Sequence, residues 1–249
     1  MLLQNKTAAI SGAASARGIG LATARLFAAH GARIAILDID EAAAKGAAAE
    51  LGPQHIGLAC DVADKASCQK AADQVIAAFG QLDILINNAG VTPVKTLEID
   101  EASWDRVQDI NCKGVLFLSQ VFIPHMQARK QGAIACMSSV SAQRGGGIFG
   151  GPHYSSAKAG VLGLAKAMAR EFGPDGIRVN CVTPGLIQTD ITGGKLTDEM
   201  RRDIIKGIPL GRLGDASDVA GIYLFLASDL SAYVTGAVID VNGGMLIHG

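Results

Sequence analysis

A phenol and an ammonium four residues apart are the part of this sequence best suited to chemistry. Tyr154-Ser155-Ser156-Ala157-Lys158 puts both groups on one face of a helix, where each can act on the other. A free phenol ionises near pH ~10, and a nearby cation favours the phenolate. Lys158 is therefore expected to draw Tyr154 toward the range in which a side chain trades protons at neutral pH. Two other polar residues are candidates to complete the set. Ser139 precedes Tyr154 by 15 residues at the end of an expected strand, and Asn111 falls within a long expected helix. Taken singly, each has a structural use as a cap or a backbone partner; together they suit general acid/base work. His153 adjoins Tyr154 but is turned about a third of a helical turn away from it.

The second constellation is a glycine turn. Ser11-Gly12-Ala13-Ala14-Ser15-Ala16-Arg17-Gly18-Ile19-Gly20 follows an apolar strand and opens an apolar-periodic helix, Leu21–Ala29. Glycines there let the backbone turn tightly and approach a pyrophosphate, which free N–H groups and the helix dipole stabilise. Any phosphate ligand satisfies that requirement, and the bland alternative is a turn that only packs helix on strand. Asp38, 18 residues beyond Gly20 at a strand end, stands where a carboxylate accepts hydrogen bonds from ribose hydroxyls. It would repel a 2′-phosphate, so NAD is expected, with NADP less favoured. Arg17 is the opposing signal, a cation available to that phosphate. Asp38 also has a plain alternative as the cap of the next helix.

These residues need a scaffold, and the hydrophobic pattern supplies one. Strands are expected near Thr7–Ile10, Arg33–Asp38, Ile56–Asp61, Ile84–Asn87, Gly132–Ser138, Ile177–Val182 and Ala237–Val241, separated by stretches of helical spacing. This alternation predicts an α/β fold, a doubly wound parallel seven-stranded sheet with helices on both faces, in a single domain over residues 1–249. Asp64–Phe79 and Ser103–Ala128 read as helices, Glu41–Glu50 as an alanine-rich crossover helix, and Asp215 as an N-cap. The glycine-dense loop around Gly145–Gly147, Gly150 and Gly151 is expected to border the site. Ile187–Arg212 is expected to form a lid, with Gly193-Gly194 as hinge and a short amphipathic helix at Thr197–Lys206.

In order along the chain come the glycine turn, the acidic strand end, Asp61-Val62, Asn87-Asn88-Ala89-Gly90, Asn111, Ser139, Tyr154-x-x-x-Lys158, and Pro184-Gly185 followed by Ile187 and Thr189. With this ordered set the chain resembles, over essentially its whole length, the classical short-chain dehydrogenase/reductase family. The resemblance implies a Rossmann-type fold and a hydride-transferring oxidoreductase. It implies that Tyr154 is the general acid/base, that Lys158 lowers its pKa and holds the nicotinamide ribose, that Ser139 orients the substrate oxygen, and that Asn111 holds a relay water. By the same resemblance Gly12, Ser15, Arg17, Gly18, Ile19 and Gly20 belong to the dinucleotide turn, with Asp61 and Val62 at the adenine. Asn88, Ala89 and Gly90 fall along the cofactor channel, with Pro184, Gly185, Ile187 and Thr189 at the nicotinamide end. A homotetramer is implied, with the helices around Asn111 and Tyr154 and the tail Ala237–Gly249 at its contacts. Two departures stand out: five residues instead of three separate Gly12 from Gly18, which predicts a bulged phosphate loop. The Ser139-to-Tyr154 gap is 15 instead of 13, which predicts a reshaped substrate wall.

Composition narrows the partners. Lys plus Arg total 22 against 23 Asp plus Glu, a net charge of −1, which gives no general field for nucleic acid or an anionic membrane. A small-molecule alcohol or carbonyl substrate fits better. Cys60, Cys68, Cys112, Cys136 and Cys181 are scattered without zinc-ligand spacing, so no metal is expected and the thiols are read as reduced, in a cytoplasmic protein. Neither an export signal nor a membrane-spanning run is expected. Among substrates a sugar or polyol ranks first, because a glycine-rich wall suits a small hydroxylated molecule. A 3-oxoacyl thioester or a hydroxysteroid is the alternative, and Arg129-Lys130 makes only a weak basic entrance for an acidic acyl carrier. A non-catalytic redox sensor is the reading from another class. Arg144 is either a ligand for a substrate carboxylate, phosphate or sulfonate, or a solvated loop residue. Trp104 is expected to pack its helix, and Cys112 to be a buried thiol.

Overall fold

Every residue of Thr7–Ser11, Ile84–Asn87 and Gly132–Met137 is buried, as continuous apolar runs are when helices cover both faces of a sheet. The structure is a computed structural model that describes residues 1–92, 97–146, 150–192 and 196–247. Its strands are β1 (Thr7–Ser11), β2 (Arg33–Asp38), β3 (Ile56–Ala59), β4 (Ile84–Asn87), β5 (Gly132–Met137), β6 (Ile177–Pro184) and β7 (Val238–Val241). They form one seven-stranded sheet in the order β3-β2-β1-β4-β5-β6-β7, every pair parallel. The helices are α1 (Ile19–Ala29), α2 (Glu41–Leu51), α3 (Lys65–Phe79), α4 (Glu101–Gln108), α5 (Gly114–Arg129), α6 (Ser141–Arg144), α7 (Pro152–Phe172), α8 (Asp198–Lys206) and α9 (Ala216–Ala227). Residues of α1, α2 and α9 share one apolar cluster, and those of α3, α5 and α7 share the other, on opposite faces of the sheet.

Chain direction across the sheet reverses between β1 and β4, and such a switch opens a crevice at the carboxyl ends of the strands. Short polar side chains start the helices around it. Asp40 accepts from Ala43 N at 2.9 Å, Asp64 from Ala66 N at 3.0 Å and Asp100 from Ser103 N at 2.6 Å. The cap of α2 is thus Asp40, which leaves Asp38 for another use.

The expected continuous helix over Ser103–Ala128 is interrupted. Asp109–Lys113 forms a π-helical turn between α4 and α5, and Asn111 lies within it, fully buried. A π turn inserts one extra residue per turn and rotates the side chains after it, a device common at functional sites. Trp104, expected to pack, is 41% exposed. Arg129 and Lys130 lie at the opposite end of the sheet from the crevice, just before β5, and pair with Asp83 and Asp175; they form no entrance to it.

The segment after β6 leaves the sheet and returns to it at one point. Gln188 N donates to Gly214 O at 2.8 Å and Gly214 N to Leu186 O at 3.1 Å, a parallel bridge that pins both ends of the expected lid. The helix expected at Thr197–Lys206 is α8, with Thr197 capping Met200 N at 3.2 Å. Gly193 and Gly194, the expected hinge, lie outside the described residues, as do Gly147 of the glycine loop and Gly249 at the tail.

Candidate active site

A cavity of about 790 Å³ occupies the crevice, within the usual range for small-molecule and cofactor sites. One end is built from backbone. Gly12, with φ +62°, turns the chain so tightly that a Cβ there would lie 2.7 Å from Ala89 Cα. Gly18 starts α1; among the described residues no side chain caps that end and no acidic residue occupies its first turn. Its N–H groups and the positive end of the helix dipole are left to a ligand, and Gly12, Ser15, Gly18 and Ile19 line the cavity beside them. This cradle fits a pyrophosphate.

The two additional loop residues are absorbed in a turn in which Gly18 N donates to Ser15 O at 2.9 Å. Ala14 N donates to Asp38 Oδ2 at 3.0 Å, so the lengthened loop is tied to the end of β2. Asp38, Ile39, Cys60, Asp61 and Val62 form the adjoining wall. Two residues of the turn stand apart from the wall. A Cβ on Gly20 would meet Gly12 O at 2.6 Å and Ala13 Cα at 2.7 Å, so Gly20 serves the close packing of helix on loop. Arg17 is turned to Asp190: its Nε donates to Asp190 Oδ1 at 2.6 Å while Ser15 Oγ donates to Oδ2 at 3.0 Å. Arg17 holds the Asp190 carboxyl below the usual range, together with Ser15.

The other end is built from buried side chains. Ser138 Oγ donates to Lys158 O at 2.7 Å and fastens the end of β5 to α7. Lys158 is 2% exposed, and its Nζ donates to Met137 O at 2.9 Å, its one hydrogen bond to protein among the described residues. An ammonium carries three donors, so two remain in a buried position that lines the cavity. Such donors suit the hydroxyls of a ribose. Burial lowers the Lys158 pKa to about 8. The Tyr154 pKa is raised and not lowered as the spacing suggested: burial pushes it up, and the neighbouring Ser139 hydroxyl only partly opposes the rise. Lys158 Nζ lies 5.8 Å from the centre of the Tyr154 ring, so Ser139 is the group that directly opposes the burial, whereas the spacing alone points to Lys158.

Asn111 is held on three sides by backbone. Its Nδ2 donates to Val91 O and Val107 O, each at 3.0 Å, and its Oδ1 accepts from Val91 N at 3.2 Å. One lone pair of Oδ1 remains for a further donor. A Cβ on Gly90 would come within 2.7 Å of that oxygen and 3.3 Å of Lys158 Nζ; the glycine lets both groups close on the same point of backbone. Gly150 does the same for the Tyr154 ring, with a Cβ distance of 3.2 Å to Cδ1. The cavity can therefore hold an extended anionic cofactor along its glycine wall and move a proton at its phenol.

Known proteins agree with this geometry. A family model described as enoyl-(acyl carrier protein) reductase matches residues 12–246. An uncharacterized short-chain type dehydrogenase/reductase of Sinorhizobium fredii is 75% identical, with all of both chains covered. The 3-oxoacyl-[acyl-carrier-protein] reductases of Chlamydia muridarum and Thermotoga maritima are each 39% identical, with 98% or more of every chain covered. The chain belongs to the short-chain dehydrogenase/reductase family. It is accordingly an oxidoreductase with the family's nicotinamide-binding α/β fold.

Of the site residues expected from this short-chain dehydrogenase/reductase sequence, Asn111, Ser139, Tyr154 and Lys158 line the cavity together. So do Asn88, Ala89, Gly90, Pro184, Gly185, Ile187 and Thr189. Asn88 also fastens the turn, its Nδ2 donating to Ser11 O at 2.9 Å and Gly12 O at 3.0 Å. His153 is buried outside the lining. Sequence reasoning missed Asp190, Ile204 and Met245 on the wall; Asp190 follows Thr189 directly and carried a signal, whereas Met245 arrives from the far end of the chain and carried none. Among the described residues no helix is long and apolar enough to cross a membrane.

Proposed function

We propose that this protein transfers a hydride between a nicotinamide dinucleotide and a secondary alcohol or its ketone, with Tyr154 as the proton donor and acceptor. The observation that carries the reading is that Asn111, Ser139 and Tyr154 line one cavity with a buried Lys158 that retains two uncommitted donors. The nicotinamide supplies hydride exchange when bound. Tyr154 Oη gives a proton to the substrate oxygen on reduction and takes it on oxidation, and Ser139 Oγ orients that oxygen. Lys158 holds the ribose and keeps a positive charge near the phenol. Asn111 Oδ1, fixed by the π turn, accepts from a water through which the proton is replaced. Gly12, Ser15, Gly18 and Ile19 hold the pyrophosphate, Asp61 and Val62 the adenine, Asn88, Ala89 and Gly90 the middle of the cofactor, and Pro184, Gly185, Ile187 and Thr189 the carboxamide end.

NAD is the preferred cofactor in this reading. Asp38 lies on the wall where an adenosine ribose is placed, and Arg17, the cation that could answer a 2′-phosphate, is committed to Asp190. The substrate is small and hydroxylated, a sugar or polyol derivative. A 3-oxoacyl thioester is the second reading, favoured by the printed names of the relatives at 39% identity. Residues 187–212 act as the lid of a single catalytic domain, supported by the bridge that pins both its ends. The protein is cytoplasmic, in keeping with five free thiols, and assembles as a homotetramer, as the family resemblance implies. The test is nicotinamide absorbance with sugars, polyols, hydroxy acids and acyl thioesters, supplied with NAD and NADP separately, beside Tyr154→Phe. Turnover with NAD that vanishes in the variant supports the reading; full activity of Tyr154→Phe overturns it.

A further inference from the structure

The charged groups on the cavity wall are unevenly partnered. Four carboxylates line it, and each is answered within the protein. Asp38 accepts from Ala14 N, Asp61 from Ala63 N, Asp190 from Ser15 and Arg17, and Asp203 from Lys206 Nζ at 2.8 Å. Two guanidinium groups line the same cavity, Arg106 from α4 and Arg144 from α6. Neither side chain has a hydrogen bond, ion pair or ring contact among the described residues. Many arginines elsewhere are committed: Arg25 to Glu50, Arg129 to Asp83, Arg178 to backbone carbonyls and Arg212 to Asp218.

Both side chains are exposed to solvent, and their places in the fold bring them to the catalytic end of the cavity. Arg144 ends the short helix that follows Ser139, on the stretch lengthened between Ser139 and Tyr154, and Arg106 stands one turn before the π turn that carries Asn111. Both are therefore tethered to elements that carry the proton-transfer residues, while the pyrophosphate cradle lies on the other side of the switch point, after β1. Asp38 and Asp61, met only by backbone N–H groups, stand at the nucleotide end, whereas at the catalytic end the two guanidinium groups have no carboxylate partner among the described residues, and such cations raise the local concentration of an anion. Guanidinium forks match the planar oxygens of carboxylate and the tetrahedral oxygens of sulfonate and phosphate.

Resting on the oxidoreductase reading above, we infer that the substrate carries an anionic group, a carboxylate, sulfonate or phosphate, which Arg144 and Arg106 bind while its alcohol or ketone lies at Tyr154. The substrate class is then a small hydroxylated or oxo acid, or a phosphorylated equivalent, in preference to a neutral sugar or an uncharged acyl chain.

The test is a titration of the full chain saturated with NADH, which fills the pyrophosphate cradle. Malonate, methanesulfonate and inorganic phosphate are added in turn, with glycerol as the neutral control, and nicotinamide fluorescence is followed. Saturable binding of at least one anion is expected, weakened about tenfold or more in Arg144→Gln and further in the double variant with Arg106→Gln. No saturable anion binding, or equal binding in the variants and the wild type, overturns the inference. Failure of the wild type to bind NADH at all would instead sink the oxidoreductase reading. A second measurement needs no variant: sugar acids must show higher kcat/KM than the corresponding neutral sugars and amides, and the reverse order overturns the inference.

Discussion

The two ends of the cavity solve opposite problems. The nucleotide end, around β1 and α1, offers backbone N–H groups and the absence of side chains; Asp38 borders it and Arg17 is turned to Asp190. The catalytic end, around the π turn, β5 and α7, offers buried side chains whose positions are set by carbonyls of neighbouring elements. The first needs room for a pyrophosphate and tolerates a loop two residues longer. The second needs orientation, and Asn111, Ser138 and Lys158 in it are each fastened to backbone carbonyls of a neighbouring element. One end is therefore shaped by backbone, and the other by the tertiary placement of side chains.

Substitutions can break that division. The largest effect is expected at the catalytic end: Tyr154→Phe lowers kcat by about 10²- to 10⁴-fold, the usual worth of a positioned acid/base, with NADH affinity kept in a fluorescence titration. Next come two identical changes at the two ends. Gly90→Ala pushes a Cβ to 2.7 Å from Asn111 Oδ1, an atom that cannot retreat because Val91 N holds it. About a hundredfold loss in kcat is expected from the displacement. Gly20→Ala meets backbone at 2.6 Å and 2.7 Å, so it costs roughly 1–3 kcal/mol of stability and shows as weaker NADH binding. Equal effects of both changes on kcat and on NADH binding would erase the distinction between the ends.

A smaller effect sharpens the nucleotide end. Asp190→Asn releases Arg17 and shifts the NADP-to-NAD ratio of kcat/KM upward by about tenfold; an unchanged ratio would mean that Asp38 alone sets the preference. The smallest concerns Lys158. Its folded pKa of about 8 lies below the ordinary lysine value of 10.5, so between the two the unfolded chain binds more protons than the folded one. Stability then rises with pH through that window, by about 3 kcal/mol in total. Thermal melts of wild type against Lys158→Met should show the slope in the wild type alone, and parallel melts would place the ammonium in a more polar setting than the structure does.

Much of the site could be read from residue types. Glycines mark close approach, the acid after β2 lies on the cavity wall, and Tyr154 and Lys158 stand out because helical spacing makes them neighbours without any knowledge of the fold. The substrate wall was less legible: the segment holding Ile204 was expected as a lid, but nothing in the sequence marks that residue within it, and Met245 arrives from the far end of the chain. The uninterrupted helix expected over Ser103–Ala128 failed for a related reason, since its apolar periodicity continues through Asp109–Lys113 and nothing local records the extra residue.

The sequence by itself determined the doubly wound α/β architecture, the tight glycine turn after β1 and the proximity of Tyr154 to Lys158, because these rest on periodicities of two and four residues and on glycine sterics. Only the tertiary structure decided that Lys158 Nζ bonds Met137 O and stands 5.8 Å from the centre of the Tyr154 ring, that Asp40 caps α2 and leaves Asp38 to the cavity, and that Arg17 belongs to Asp190. Each of these depends on which partner arrives first within hydrogen-bond reach. Charge and burial act over ångströms in space, and spacing along the chain records those distances only within a single helix or strand.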